Sequence, residues 1–96
     1  MVKLTCLDFA SQWERNETSR YPELGIFIEK LKRTVRENPG KGRLDPILYK
    51  GQELPCLKRS VKIEIIPRHN AIGYSFITAW YVHDDSNVII VNMDYS

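Results

Sequence analysis

Apolar and polar positions alternate in residues 60–65, and this alternation is the clearest pattern in the chain. Every second residue there is apolar, and the apolar set consists of Val61, Ile63 and Ile65. Lys62 belongs to the polar set between them. Because successive side chains of a β-strand point to opposite faces, the pattern predicts a half-buried strand over residues 61–66.

A second pattern, with apolar positions three and four residues apart, covers residues 21–37. The apolar positions are Tyr21, Leu24, Phe27, Ile28, Leu31 and Val35. That spacing places them along one side of an α-helix. Pro22 suits the first helical turn, because its missing N–H would be unpaired there in any case. The run Asn38-Pro39-Gly40 ends the predicted helix.

Ahead of this helix, the sequence predicts a short strand and a short helix. Alternation over residues 2–7 predicts an opening strand. Asp8 is a predicted N-cap, and Phe9 and Trp13 share one side of the helix that follows. The polar residues 15–20 predict the end of that helix.

The region after the long helix predicts loops and short strand ends. Residues 40–46 predict a loop, and residues 48–55 predict two strand ends around the turn dipeptide Lys50-Gly51.

Two further strands complete the pattern. Residues 74–83 are apolar in both alternate sets, which predicts a central strand covered on both faces. Residues 84–87 predict a hairpin turn, and residues 88–95 predict the returning strand. Short connections between consecutive strands favour an antiparallel meander.

Together these elements predict an α+β fold for one domain spanning residues 1–96. An N-terminal strand precedes one or two helices, and an antiparallel β-meander follows. The helices are expected to cover one face of the sheet. A chain of 96 residues has room for a single modest core.

Composition and short motifs narrow the class of protein. The formal net charge is +2 and 43% of the residues are hydrophobic, as in ordinary globular proteins. Cys6 and Cys56 lack the close spacing of a zinc or redox motif, so we expect two small, partly buried, reduced thiols. No apolar run suits a signal peptide or a membrane span, and we expect a cytoplasmic protein without membrane contact. Phosphate-loop, dinucleotide-binding, nucleophile-elbow and HExxH motifs are absent from the sequence.

Basic residues cluster in the middle of the chain. The cluster consists of Lys50, Lys58, Arg59, Lys62 and Arg68. A concentrated basic face gives salt-dependent affinity for phosphates, although the same side chains could simply solvate an exposed sheet face. His69 follows the cluster, and its imidazole can titrate near neutral pH.

Three segments together resemble a known family. Residues 73–96 contain a glycine-aromatic strand entry, an apolar strand, an acidic hairpin and a final strand rich in Ile and Val. Residues 57–65 carry basic side chains on a strand, and residues 29–43 form a helix with a Pro/Gly exit. These features, the length and the order of elements resemble the RelE/ParE superfamily of toxins from bacterial toxin–antitoxin pairs.

The resemblance implies a metal-independent endoribonuclease that cleaves mRNA at the ribosome, uses no cofactor and is neutralised by a cognate antitoxin. In that reaction the 2′-hydroxyl attacks the adjacent phosphate. Cations must therefore stabilise the phosphate, and other groups must move protons. The candidate catalytic residues are Lys62, Arg68, His69 and Tyr95. The candidate RNA-binding residues are Lys50, Lys58 and Arg59.

Two other functions remain open at this point. Ser75 follows Gly73 and Tyr74, where ribonucleases of the superfamily commonly have an arginine. That departure favours a ParE-like toxin that inhibits DNA gyrase without cleaving RNA. The third alternative is a small, non-catalytic interaction module whose sheet edge pairs with a partner strand.

Overall fold

The computed structural model describes residues 2–64 and 74–96 of the chain. The elements in this part of the chain are β1 (Lys3–Cys6), α1 (Asp8–Arg20), α2 (Leu24–Glu37), a 3-10 turn (Pro39–Lys41), β2 (Arg43–Leu44), β3 (Ile47–Tyr49), β4 (Gln52–Leu54), β5 (Leu57–Lys62), β6 (Phe76–His83) and β7 (Asn87–Tyr95). The predicted α+β class, with an opening strand, two helices and an antiparallel-rich sheet, is therefore confirmed.

Five of the strands form one sheet in the order β1-β7-β6-β5-β2. The meander β5-β6-β7 is antiparallel, as predicted. β1 pairs parallel to β7, so Lys3 lies opposite Asn87 and Cys6 lies opposite Ile90. β3 and β4 pair only with each other and form a separate hairpin.

Both helices pack on the same face of this sheet, which we call the helix face. The buried cluster joins Ala10 of α1 and the apolar side of α2 to alternate positions of the three meander strands. The α2 residues in it are Leu24, Ile28, Leu31 and Val35, all predicted from their spacing. The strand residues include Val61, Ile77, Ala79, Tyr81 and Met93. Burial of these side chains away from water is the main force that holds the helices on the sheet.

The opposite face of the sheet is called the lysine face. It carries Lys58, Ser60 and Lys62 of β5 and Phe76, Thr78 and Trp80 of β6. Across the two strands, Lys62 lies opposite Phe76, Ser60 lies opposite Thr78 and Lys58 lies opposite Trp80. Residues 74–83 were predicted to be covered on both faces, and this is wrong at the start of β6. Phe76 is 42% exposed, although Thr78 on the same face is only 2% exposed.

Three helix boundaries differ from the prediction. The N-cap of α1 is Leu7 instead of Asp8, which lies in the first turn of the helix. α1 continues to Arg20 instead of ending before residues 15–20, because polar residues suit the solvated side of a helix. α2 begins at Leu24 rather than Tyr21. Tyr21 instead caps α1, where its N–H donates to the carbonyl oxygen of Glu17 at 2.8 Å.

The region between α2 and β5 is more regular than the sequence predicts. The loop predicted over residues 40–46 contains β2, which pairs with β5. Lys50 and Gly51 both have positive φ, 52° and 80°, and they link Tyr49 to Gln52 in a two-residue hairpin. Positive φ at both central residues is the geometry of a type I′ turn, so the predicted turn is confirmed.

The exit from α2 includes one position where backbone and side chain approach closely. A Cβ at Gly42 would lie 2.8 Å from Leu57 Cβ and would also collide with the hydroxyl of Tyr81. That hydroxyl donates to the carbonyl oxygen of Pro39. Only glycine leaves room for Tyr81 to reach the 3-10 turn.

Candidate functional site

Strand β5 divides the predicted basic cluster between the two faces of the sheet. Lys58 lies opposite Trp80, and Lys62 lies opposite Phe76, all on the lysine face. Arg59 lies opposite Ala79, which is buried on the helix face. The prediction that these three cations share one face is therefore wrong for Arg59. The reason is the alternation of side chains along a strand.

Lys58 is paired within the chain. Its Nζ lies 3.3 Å from Asp45 Oδ2, and the Trp80 indole N–H donates to the same oxygen at 2.7 Å. The indole hydrogen bond and then the Lys58 ammonium hold the pKa of Asp45 below its usual value. The Asp45 carboxylate therefore keeps its charge and fixes the positions of both neighbours. A phosphate that binds Lys58 must compete with Asp45.

A row of hydroxyl groups crosses the lysine face between the two lysines. Ser60 Oγ and Thr78 Oγ1 are 2.6 Å apart, and Thr78 Oγ1 and Ser96 Oγ are 2.7 Å apart. Ser96 extends β7, because it exchanges both backbone hydrogen bonds with Phe76. Hydroxyls both donate and accept hydrogen bonds. Thr78 is buried, so the row offers the exposed hydroxyls of Ser60 and Ser96 for polar contacts between the Lys58–Trp80 pair and the Lys62–Phe76 pair.

Lys62 and Phe76 form the open end of the lysine face. Both side chains are exposed, and Lys62 makes no ion pair with any residue in the described ranges 2–64 and 74–96. An exposed cation beside an exposed aromatic ring can neutralise a phosphate while a base stacks on the ring. This end of the face is the better candidate for a nucleic-acid contact.

Arg59 has a different environment. Its Nη1 atom is buried and has no hydrogen-bond partner among the described residues. The nearby guanidinium favours the phenolate form of Tyr81, but burial outweighs that effect and raises the pKa of Tyr81. The location of Arg59 under the helices does not suit contact with an extended RNA strand.

Lys50 also lies apart from the two lysines of the sheet. It occupies the turn of the β3–β4 hairpin, with its Nζ 5.4 Å from the centre of the Tyr49 ring. The Tyr49 ring in turn contacts Phe9 of α1 edge-on at 5.4 Å. Lys50 therefore belongs to the separate hairpin and not to the lysine face.

Tyr95 lies on the helix-face side of β7, opposite Ile77. Its hydroxyl donates to Glu17 Oε1 of α1 at 2.7 Å. Its ring stacks on Tyr74 with centroids 5.4 Å apart and contacts Trp13 edge-on at 5.0 Å. The structure thus does not place Tyr95 on the same face as Lys62, although both residues lie at the end of the sheet where β5 ends and β6 begins.

The residues around Tyr95 enclose a cleft of about 310 Å³, which we call the aromatic cleft. It is lined by Trp13, Glu17, Arg20, Tyr21, Tyr74, Asp94 and Tyr95. Sequence reasoning missed Glu17 and Arg20, because it ended α1 before them. Trp13, Glu17 and Arg20 are spaced at i, i+4 and i+7, so a longer helix would have placed them on one side.

Burial and the neighbouring Glu17 carboxylate raise the pKa of Tyr95 far above its usual value. Burial disfavours the phenolate, and the negative charge of Glu17 disfavours it further. Tyr95 is therefore a hydrogen-bond donor at neutral pH, and its proton is held by the contact with Glu17.

The two cysteines behave as small core side chains. Cys56 is buried and Cys6 is half-buried, and both thiols are free, as the sequence predicted. Burial raises the pKa of each thiol, which leaves them poor nucleophiles. In residues 2–64 and 74–96, no three His, Cys, Asp or Glu side chains cluster in a way that could hold a metal ion.

Two predicted catalytic residues, Arg68 and His69, lie outside the described residues, so their roles stay predictions. No helix in the described part of the chain is long and apolar enough to span a membrane. No protein-family model, curated protein or solved structure matches the chain.

Proposed function

We propose that the lysine face binds single-stranded RNA and that the chain is a metal-independent endoribonuclease toxin. One observation carries the RNA contact: an exposed lysine and an exposed aromatic ring, Lys62 and Phe76, lie directly opposite each other on adjacent strands. Stacking on an aromatic ring combined with cation–phosphate contact is the usual way in which proteins hold single strands.

Other groups on the lysine face support this proposal, whereas the exposed carboxylate of Asp94, opposite Thr78, disfavours a phosphate there. The Lys58–Trp80 pair repeats the same cation–aromatic combination four residues along β5, about 13 Å away at the rise of a strand. The hydroxyls of Ser60, Thr78 and Ser96 lie between the two pairs. The exposed hydroxyls of Ser60 and Ser96 can contact ribose 2′-hydroxyls, the feature that distinguishes RNA from DNA.

The proposed chemical step is the one that the resemblance to the RelE/ParE superfamily implies. The 2′-oxygen of one nucleotide attacks the adjacent phosphorus while the bond from phosphorus to the 5′-oxygen breaks, which leaves a cyclic phosphate and a free 5′-hydroxyl. Lys62 stabilises the negative charge that develops on the phosphate oxygens. One proton leaves the 2′-hydroxyl and one is delivered to the 5′-oxygen. His69 is the predicted group for proton transfer and Arg68 is a predicted phosphate clamp, while Tyr95 holds its proton in the contact with Glu17.

The toxin role rests on the resemblance to the RelE/ParE superfamily. The strand–helix–helix–meander order agrees with that resemblance. In this proposal the target is mRNA on the ribosome, and a cognate antitoxin neutralises the protein.

A binding measurement tests the RNA contact directly. Fluorescence anisotropy with a short labelled single-stranded RNA should give an affinity that falls with salt, and each phosphate contact contributes about 0.7 to the slope. Lys62→Gln should lower the slope by about 0.7, and the exposed Lys30→Gln on α2 serves as the matched control. Phe76→Ala should weaken binding at every salt concentration without changing the slope. Equal affinities for wild type and Lys62→Gln would rule out the lysine face as the RNA site.

Induced expression in a bacterium tests the activity. Growth arrest with new mRNA ends, lost in Lys62→Ala and retained in Lys30→Ala, is the expected result. Arrest with intact mRNA would instead favour the gyrase-inhibiting alternative. Normal growth with folded protein would favour an interaction module without catalytic activity.

A further inference from the structure

The lysine face carries a further cation outside the basic cluster of the sequence, Arg43 of β2. Arg43 lies directly opposite Lys58 across the β2–β5 pairing. We propose that Arg43, and not Lys58, makes the second phosphate contact on the lysine face, so that a single strand of RNA is held between Arg43 and Lys62. This assignment rests on the proposed RNA binding by the lysine face.

The register of β2 places Arg43 on the lysine face. Directly opposite residues of adjacent strands project from the same face of a sheet, and Lys58 is a lysine-face residue. Asp45, two positions beyond Arg43, contacts Trp80 and Lys58 on that face, as the two-residue period of a strand requires. The Arg43 side chain is exposed, so a ligand can reach it at the β2 edge of the face.

Arg43 and Lys58 differ in what they already bind. The Nζ of Lys58 lies 3.3 Å from Asp45 Oδ2. Arg43 makes no ion pair with any residue in the parts of the chain that the structure describes, 2–64 and 74–96. A phosphate can therefore bind Arg43 directly, whereas at Lys58 it must first displace a carboxylate.

The ion pair between Lys58 and Asp45 is what leaves Arg43 available. The Asp45 carboxylate is on the same face as Arg43 and would otherwise attract its guanidinium and repel a phosphate. The Lys58 ammonium and the Trp80 indole N–H both bind that carboxylate instead. Two cations and one carboxylate leave one positive charge at this end of the face, and Arg43 carries it.

The guanidinium group of Arg43 suits a phosphate ligand. It is planar and can donate two parallel hydrogen bonds to two phosphate oxygens. It also keeps its charge at every pH at which the protein is folded, because the pKa of arginine is above 12. An exposed guanidinium without an ion pair is therefore a stronger phosphate contact than an ammonium that is already paired.

Arg43 and Lys62 stand at the two ends of a path across the sheet. Lys62 lies four residues along β5 from Lys58, and Arg43 lies one strand further out. At about 3.3 Å per residue and about 4.8 Å between strands, their backbones are about 14 Å apart. This path leads from β5 to β2 and away from β7, which carries Asp94. A short single strand can therefore contact both cations, stack a base on Phe76 and avoid the Asp94 carboxylate.

The test is fluorescence anisotropy of the full chain with a short labelled single-stranded RNA over a range of salt concentrations. Arg43→Gln should lower the salt slope by about 0.7, which is about fivefold weaker binding at about 0.1 M salt when the affinities converge near 1 M. Arg43→Lys keeps the charge and should keep the wild-type slope. Arg33→Gln removes an exposed arginine from α2 and should leave the slope unchanged.

A paired variant separates the role of Arg43 from that of Lys58. The double substitution Asp45→Asn with Lys58→Gln removes both charges of the ion pair, and an amide at position 45 can still accept the indole hydrogen bond of Trp80. The net charge of the chain does not change. Its salt slope should equal that of the wild type, and adding Arg43→Gln should then lower the slope by about 0.7.

Three results in folded variants would overturn the assignment: an unchanged slope in Arg43→Gln, a lower slope in Arg43→Lys, or a loss of about 0.7 in the paired variant, which would make Lys58 the contact. Circular dichroism checks that each variant is folded. A lower slope in Lys62→Gln with an unchanged slope in Arg43→Gln would overturn this assignment alone. Absence of RNA binding by the wild-type chain would overturn the proposed function as well.

Discussion

Lys58 and Arg59 are neighbours in the chain, but they have opposite environments. Lys58 lies on the lysine face, where Asp45 and solvent satisfy its charge. Arg59 lies on the helix face, where Nη1 is buried without a hydrogen-bond partner among the described residues. Consecutive basic residues in a strand therefore divide into two sets on opposite faces of the sheet. Only one of these sets can belong to any single binding surface.

The largest expected contrast between the two faces is in core packing. Ile77 is fully buried on the helix face, and its neighbour Phe76 is exposed on the lysine face. Ile77→Ala should lower the free energy of unfolding by about 2–5 kcal/mol, because it removes packed atoms and leaves a cavity. Phe76→Ala should cost less than about 1 kcal/mol, as expected for an exposed site. Urea unfolding measures both, and a similar loss in the two variants would contradict the assignment of the faces.

The next contrast tests the close approach beneath Tyr81. Gly42→Ala should lower the free energy of unfolding by about 1–3 kcal/mol, because the added Cβ overlaps Tyr81 and Leu57. Gly40→Ala is the control, since its Cβ would meet nothing within 4 Å. Thermal unfolding of the two variants gives the comparison. An unchanged free energy of unfolding in Gly42→Ala would mean that the position of the Tyr81 hydroxyl does not require a glycine at residue 42.

A smaller effect separates the two adjacent cations. Arg59→Met keeps a long apolar side chain and removes the unpaired Nη1, so the free energy of unfolding should rise by about 1 kcal/mol. Lys58→Met removes a partly exposed ion pair and should change stability by no more than about 0.5 kcal/mol. Urea midpoints at neutral pH distinguish the two. A clear loss of stability in Arg59→Met would show that the guanidinium makes a stabilising contact.

The smallest expected effect is a pH dependence on the lysine face. The pKa of Asp45 is lowered in the folded state by Trp80 and Lys58. Its contribution to stability is therefore present above the unfolded-state pKa of about 3.9 and is lost as the pH falls through the lower folded-state pKa. Asp45→Asn should reduce the fall in stability on acidification. Urea midpoints from neutral pH to strongly acidic pH, with Asp85→Asn as the control, check this expectation.

Local periodicity accounts for the parts of the fold that the sequence predicts well. The spacing of Leu24, Ile28 and Leu31 identifies α2, and the alternation around Val61 identifies the buried side of β5. These patterns report which side of an element is buried. The same alternation assigns Arg59 to the side of Val61, whereas the cluster of charges predicted that Arg59 shares a face with Lys58 and Lys62.

Long-range neighbours account for what the sequence does not predict. The aromatic cleft joins Trp13 and Glu17 of α1 to Tyr74 before β6 and Tyr95 of β7. No spacing rule relates positions so far apart in the chain. The exposure of Phe76 and the burial of Ile77 in β6 also depend on tertiary structure, because the two side chains have similar apolar character and differ only in what packs against them.

The parallel pairing of β1 with β7 has a consequence for synthesis of the protein. β7 lies between β1 and β6, and Lys3 pairs with Asn87. While the ribosome is still making β7, β1 has no sheet to join, and an edge of β6 is unpaired. The sheet can close only after that segment has left the exit tunnel. Pairing across such a long stretch of chain slows folding. Until β7 is available, β1 and β6 both have unpaired edges, and the nascent chain must avoid aggregation during that time.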